Sequence, residues 1–102
     1  MDDDSFAIIA GFEWDENKRL ANVAKHGIDF VDAVDVFADP VLFTYRSVRR
    51  RAEERNVSIG VSKGNVIAVV STWRKGKLRI ISVRAARKNE REIYDKKSQE
   101  SR

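Results

Sequence analysis

The side chains of this chain that can do chemistry in number are cations. Arg79, Arg84, Arg87 and Arg91 follow one another near the carboxyl end. Arg84 closes a stretch that reads as a strand, and Arg87, Arg91 and Tyr94 recur at i, i+4 and i+7, one face of a following helix. A turn at Ala85-Ala86 that folds the helix back would bring Arg84 and Arg87 onto one anion. A planar guanidinium suits that task because its fork grips phosphate oxygens in pairs. The same spacing also describes a salt-bridged, solvated helix face. Arg49-Arg50-Arg51 is a basic run that would contact phosphates without base specificity, or simply a solvated loop. Lys25-His26-Gly27 closes an earlier helix. Cations there complement the helix dipole, and the one histidine, His26, is of the side-chain type that exchanges a proton near neutral pH unaided. Trp14 and Trp73 could stack on bases, but both lie in or beside apolar strands, where a core role is expected.

Composition narrows the chemistry further. The chain has 102 residues, the size of a single domain spanning 1–102. Its 42% hydrophobic content argues against disorder, and its 35% charged content describes a heavily ionised surface. The absence of cysteine excludes disulfides, thiolate nucleophiles and zinc–thiolate sites. Phosphate-binding glycine loops and metal-loop spacings are missing, so neither a cofactor nor a metal is expected. No apolar run approaches the roughly 20 residues of a membrane span, and the acidic start, Met1-Asp2-Asp3-Asp4, is unlike a signal peptide. A cytoplasmic protein without membrane contact is expected. The net charge of +4 conceals a split. Residues 1–40 carry a net −7, residues 41–73 a net +4 and residues 74–102 a net +7. Such asymmetry favours a basic surface for a polyanion.

The elements that must position these groups follow from periodicity. Residues 6–14 read as one strand, with Gly11 marking a bulge. Asp15 caps a helix over 16–26 that Gly27 stops, with Leu20, Val23 and Ala24 as a narrow apolar stripe. Asp29 caps a second helix, whose Phe30, Ala33, Val34 and Phe37 form a core face and which ends at Asp39-Pro40. Strands are expected at 41–46, 56–62, 66–70 and 78–84, the last three joined by short turns into an antiparallel meander. Alternation along 78–84 places Ile81 and Val83 opposite Ile80 and Ser82, and sends Arg79 and Arg84 to opposite faces. A third helix covers 86–97, and residues 1–5 and 98–102 are expected to be flexible. The order is β-α-α-β-β-β-β-α, an α+β domain with helices packed on a twisted antiparallel sheet.

Two ordered signatures resemble one family. The first is Phe12-Glu13-Trp14-Asp15, Asn22, Lys25-His26-Gly27, Phe30, Ala33 and Phe37-Ala38-Asp39-Pro40. The second is Glu54-Arg55, Ile59-Gly60, Arg79-Ile80-Ile81-Ser82-Val83-Arg84-Ala85-Ala86, Glu90-Arg91 and Tyr94. Together they resemble the BrnT-type toxins over residues 12–97. Val83 departs from the alanine usual before the arginine, and an acidic stretch extends the N-terminus. The resemblance implies a RelE-like fold and a toxin of a type II toxin–antitoxin module that cleaves RNA and inhibits translation. It implies a BrnA-type antitoxin as partner, with promoter DNA bound only through the antitoxin complex. Carried onto this chain, the implied catalytic candidates are Lys25, His26, Arg79, Arg84, Arg87 and Tyr94; Arg49, Arg50, Arg51 and Arg91 are the RNA-binding candidates.

The chemistry consistent with these residues is metal-independent endoribonuclease cleavage. Arg84 and Arg87 would clamp the phosphate, Lys25 or Arg79 would add a cation, and His26 or Tyr94 would move the proton. As a base, Tyr94 would need a depressed pKa, which nearby arginines could provide. The competing class is a non-catalytic module that binds nucleic acid or a partner, since the charge split suits it equally well.

Overall fold

The structure, a computed structural model, describes residues 6–9, 11–48 and 53–101. Strands β1 (Phe6–Ile9) and β2 (Phe12–Asp15) form a hairpin rather than one bulged strand. The chain reverses at Gly11, whose φ of +91° is a conformation that side chains with a Cβ avoid. Helix α1 (Glu16–His26) and helix α2 (Phe30–Ala33) come next, and α2 runs into a 3-10 helix, Val34–Ala38. Strands β3 (Phe43–Arg46), β4 (Asn56–Ser62), β5 (Asn65–Arg74) and β6 (Lys77–Ala85) precede the last helix, α3 (Lys88–Glu100). The α+β class is as the patterning predicts. Helix α3 takes in 98–100, a stretch expected to fray.

Among the described residues the sheet has six strands in the order β1-β2-β6-β5-β4-β3. Every neighbour pair is antiparallel except β2 with β6, which run parallel. That parallel pair needs a long crossover, and everything from α1 to β5 supplies it. One face of the sheet packs against α2 and the 3-10 helix around Trp14, Phe30, Ala33, Val36, Val69, Ile80 and Val83. The other packs Val57, Ile59 and Ala68 against Tyr94 of α3.

Three local departures from the expected pattern have physical causes. The buried residues of the second helical segment are Phe30, Ala33 and Val36, a spacing of three. A 3-10 helix repeats every three residues, so the switch from α to 3-10 keeps all three on the core. The backbone there comes so close to β4 that a Cβ on Gly60 would lie 2.8 Å from Val36 Cγ1. Second, Ile80 and Val83 enter the same core cluster despite opposite parity. The register shifts between Val70 and Ser71, which face Ser82 and Ile80, so Ile81 is the extra residue of a β-bulge. Arg79 and Arg84 therefore lie on the same face of the sheet, not on opposite faces. Third, the Leu20, Val23 and Ala24 stripe of α1 faces solvent, with Leu20 53% exposed.

Polar bonds hold α1 instead. Strand β2 pairs with β6 only through Leu78, Arg79 and Ile80, because the chain becomes helical at Glu16. Beyond that point the edge of β6 is taken by the amide of Asn22, the buried residue of α1. Its Oδ1 accepts from Val83 N at 3.1 Å, and its Nδ2 donates to Val83 O at 2.9 Å and to Ile28 O at 3.0 Å. A carboxamide carries a donor and an acceptor side by side, as a neighbouring strand would. Arg19, braced within the helix by Glu16 at 2.5 Å, ties α1 to Asp29 at the start of α2, at 2.8 Å.

Replacing Asn22 with Leu strands the buried N–H and C=O of Val83. The expected loss is about 2–4 kcal/mol in urea-induced unfolding, since each buried unsatisfied group costs roughly 1–3 kcal/mol. Stability equal to that of the parent would show that Asn22 is not the attachment.

Candidate active site

Because Asn22 ties α1 to the exposed edge of β6, the last turn of α1 arrives beside the last residues of that strand. A cleft of about 400 Å³ opens there. Lys25 and His26 form one wall, Ser82, Arg84 and Arg87 another, and Tyr45, Ser47, Val48 and Arg55 close it from the β3–β4 side over Val57 and Val70. None of the described lining residues is acidic, so Lys25, Arg55, Arg84 and Arg87 set the sign of its potential. Four acidic residues of the N-terminal third are paired elsewhere in the fold. Glu13 pairs with Arg79, Glu16 and Asp29 with Arg19, and Asp32 with Lys63.

The wall carrying Arg84 and Arg87 is built on one buried carboxylate. Glu90, 2% exposed, accepts from both ends of the Arg84 fork, Nη1 at 2.7 Å and Nη2 at 3.0 Å. It also accepts from Arg87 N at 2.8 Å and from the Tyr45 hydroxyl. Glu90 is the third residue of α3, where a glutamate can reach back to the N–H of the residue before the helix. Burial alone would raise its pKa. The Arg84 guanidinium, the Arg87 N–H and the Tyr45 hydroxyl outweigh burial and hold the carboxyl at about 2. The bond to Glu90 raises the pKa of Arg84 in turn. Burial, followed by the bond to Glu90, raises that of Tyr45.

The cleft gathers Lys25, His26, Arg84 and Arg87 from among the sequence candidates. Arg79 and Tyr94 do not line it. The Arg79 side chain is largely buried and bonds Glu13 Oε2 at 3.2 Å on the neighbouring strand. Tyr94 donates its hydroxyl to Asp39 Oδ2 at 2.5 Å, and Asp39 also accepts from Val41 N and Val61 N. Burial and that carboxylate push the Tyr94 pKa up to about 12, the opposite of the depression a base would need. Arg91 lines a second cleft of about 330 Å³, with Gly27, Asp32, Lys63 and Asn65. Arg49, Arg50 and Arg51 lie outside the described residues. Trp14 is fully buried against Phe30, as expected of a core residue, whereas Trp73 is 66% exposed.

Sequence spacing missed Tyr45, Arg55 and Glu90 as parts of the site. Glu90 had a local signal, since a glutamate three residues after Arg87 fits a helix start. Tyr45 had none, because its partner lies 45 residues away.

The family model described as ribonuclease toxin, BrnT, of type II toxin-antitoxin system matches residues 14–90. No curated protein matches the chain.

Two outcomes test the Glu90 network. Its folded pKa lies below the ordinary carboxylate value, so its stabilisation is fully present above about pH 4.5 and is lost as pH falls towards about 2. Unfolding free energy should fall by about 3 kcal/mol across that window, and the fall should shrink in Glu90→Gln. Asp39, also shifted down, leaves a residual slope. Arg84→Ala leaves a buried charge without its partner and should cost about 3–5 kcal/mol, whereas Arg84→Met combined with Glu90→Gln should cost less than Arg84→Ala alone. Equal pH profiles in parent and Glu90→Gln would contradict the assignment.

Proposed function

The chain belongs to the BrnT family of type II toxin–antitoxin ribonuclease toxins, and on that premise we propose that its cationic cleft is the active site of a metal-independent endoribonuclease that inhibits translation. The observation that carries this reading is the meeting of His26 with Lys25, Arg84 and Arg87 in one cleft whose described lining holds no acidic residue. Cleavage of RNA without a metal needs a proton carrier and fixed positive charge around the phosphorus, and this cleft offers both. The same positive potential disfavours a divalent cation and favours a polyanion.

In the proposed reaction the ribose 2′-OH attacks the adjacent phosphorus. The new bond closes a 2′,3′-cyclic phosphate, and the P–O5′ bond breaks to release a 5′-OH. The proton lost from the 2′-OH and the proton gained by O5′ need a carrier. His26 takes this role, because the Tyr94 hydroxyl is committed to Asp39 and its pKa is raised. Arg87 and Lys25 hold the non-bridging oxygens. Arg84 has three N–H contacts within the protein, two to Glu90 and one to Ala85 O. It therefore acts chiefly as a fixed charge in the wall. Arg79, paired with Glu13, supports β6 rather than touching RNA. Arg91, at the neighbouring cleft, and the Arg49-Arg50-Arg51 run extend the contact to flanking phosphates.

A BrnA-type antitoxin neutralises the toxin in this reading by covering the cationic cleft, and promoter DNA is bound only by the antitoxin within the complex. Among the described residues no helix is long and apolar enough to cross a membrane. The cytoplasm, where messenger RNA is translated, is the compartment this function requires.

The test is a defined RNA incubated with the pure protein in EDTA. The expected products carry 2′,3′-cyclic phosphate and 5′-OH ends. Replacing His26 with Ala should slow cleavage by about 10²–10⁴-fold, and replacing Arg87 with Ala by about 10²-fold. Production of the chain alone should stop growth, and co-production of its antitoxin should restore it. RNA that is bound but left intact by the parent protein would mark a non-catalytic binding module and overturn the proposal.

A further inference from the structure

Among the described residues, Arg55 Nε is the side-chain nitrogen or oxygen that is sealed from water yet has no hydrogen-bond partner. Such a group is costly. A buried donor left without its bond forfeits its hydration with nothing in return, the more so when it is charged, and native proteins leave few such groups. Arg55 stands just before β4 in the wall of the cationic cleft, opposite the α1 wall that carries Lys25 and His26. The neighbouring carboxylates do not satisfy Nε. Glu90 is filled by Arg84, Arg87 N and Tyr45, Glu53 bonds Arg74, and the Glu54 carboxylate lies 3.9 Å from Arg46. The backbone carbonyls on either side are also engaged, Glu54 O by Thr72 Oγ1 and Arg55 O by Ser47 N. Arg55 thus brings a permanent charge and an unmade bond to a cleft whose described lining holds no acidic group.

We propose that Arg55 is a phosphate ligand of this cleft: on binding, its side chain turns so that the Nε–H, sealed in the free protein, and an Nη–H donate to a phosphodiester of bound RNA. This deepens the ribonuclease proposal, on which it rests for the identity of the ligand. The chemistry of the group itself calls for an oxyanion with two adjacent acceptors, which a phosphodiester presents and a neutral ligand does not. Arg55 binds the polyanion and takes no part in proton transfer, so its loss acts on affinity.

The probe is a short single-stranded oligodeoxynucleotide, which lacks the 2′-OH and cannot be cleaved by the proposed reaction. Its affinity is measured against salt concentration for the native protein, Arg55→Gln and Arg55→Lys. Arg55→Gln should bind about tenfold more weakly or worse, with a salt slope shallower by about 0.7, the value of one phosphate contact on a single strand. Arg55→Lys should recover the slope but not the full affinity, because an ammonium cannot reproduce the fork. A second measurement needs no variant. In the native protein, the Arg55 Nε–Hε resonance should shift on addition of the oligonucleotide. The inference is overturned by native affinity and slope in a folded Arg55→Gln, by an Nε–Hε signal that stays still while the amides of Lys25, His26 and Arg87 move, or by failure of the native protein to bind the probe. RNA cleavage by the native protein is scored separately. Intact RNA alongside an Arg55 response defeats the nuclease proposal and leaves the phosphate ligand standing. Cleavage without an Arg55 response does the reverse.

Discussion

The carboxylate of Glu90 is the constraint on which the site depends. It sits at the start of α3, almost wholly out of water, and receives donors from the end of β6, the residue before α3, and β3. A buried carboxylate is tolerated only when its lone pairs are filled, and here four hydrogen bonds fill them. The consequence is geometric. Arg84 cannot swing away, Tyr45 is drawn over the sheet, and the turn between β6 and α3 is fixed with Arg87 at its corner. The same carboxylate that positions Arg84 also offsets part of its charge. The working cations of the cleft are then those whose side chains Glu90 does not bind, Lys25, Arg55 and Arg87.

The opposite wall depends on a neutral group. By standing in for a strand, the Asn22 amide lets β2 end early and a helix take over at the same sheet edge. The helix that results is attached by hydrogen bonds and the Arg19–Asp29 ion pair and leaves Leu20 and Val23 in solvent. Its C-terminal turn, with the dipole's negative end beside Lys25 and His26, thereby faces the basic end of β6. Two polar devices far apart in sequence bring the halves of one cleft together, and the apolar cores on the two faces of the sheet hold them in place.

How far the sequence discloses this arrangement follows from the range of each interaction. The α+β class and the β4–β5–β6 meander were legible because alternation and short glycine turns are local signals. The caps of α1 at Asp15 and Gly27 were legible for the same reason, and both are present. The bulge at Ile81 was not, because it is a register event between two strands, and it reversed the facing of Arg84 relative to Arg79. The stripe at Leu20 and Val23 misled because amphipathic spacing cannot tell whether a helix is attached by its apolar or its polar residues. The parallel β2–β6 pair joins the two ends of the chain and leaves no local trace. Within the site, His26, Lys25, Arg84 and Arg87 could be named from residue type, whereas their partners could not. The hydroxyl of Tyr94 shows the difference. Its helical position beside Arg91 suggested a place among cations, yet the fold turns it to Asp39 at the end of the 3-10 helix.

In the proposed function, the end of α1 and the end of β6 make one phosphate-binding active site. The most direct measurement is a crystal structure of the protein with a short RNA whose 2′-hydroxyls are methylated, so that it binds uncut. A phosphodiester is expected in the cleft, its oxygens within about 3 Å of His26 and Arg87, hydrogen-bonding distance. RNA seated on the opposite face of the sheet, or along the exposed Leu20 and Val23 surface with the cleft vacant, would contradict it.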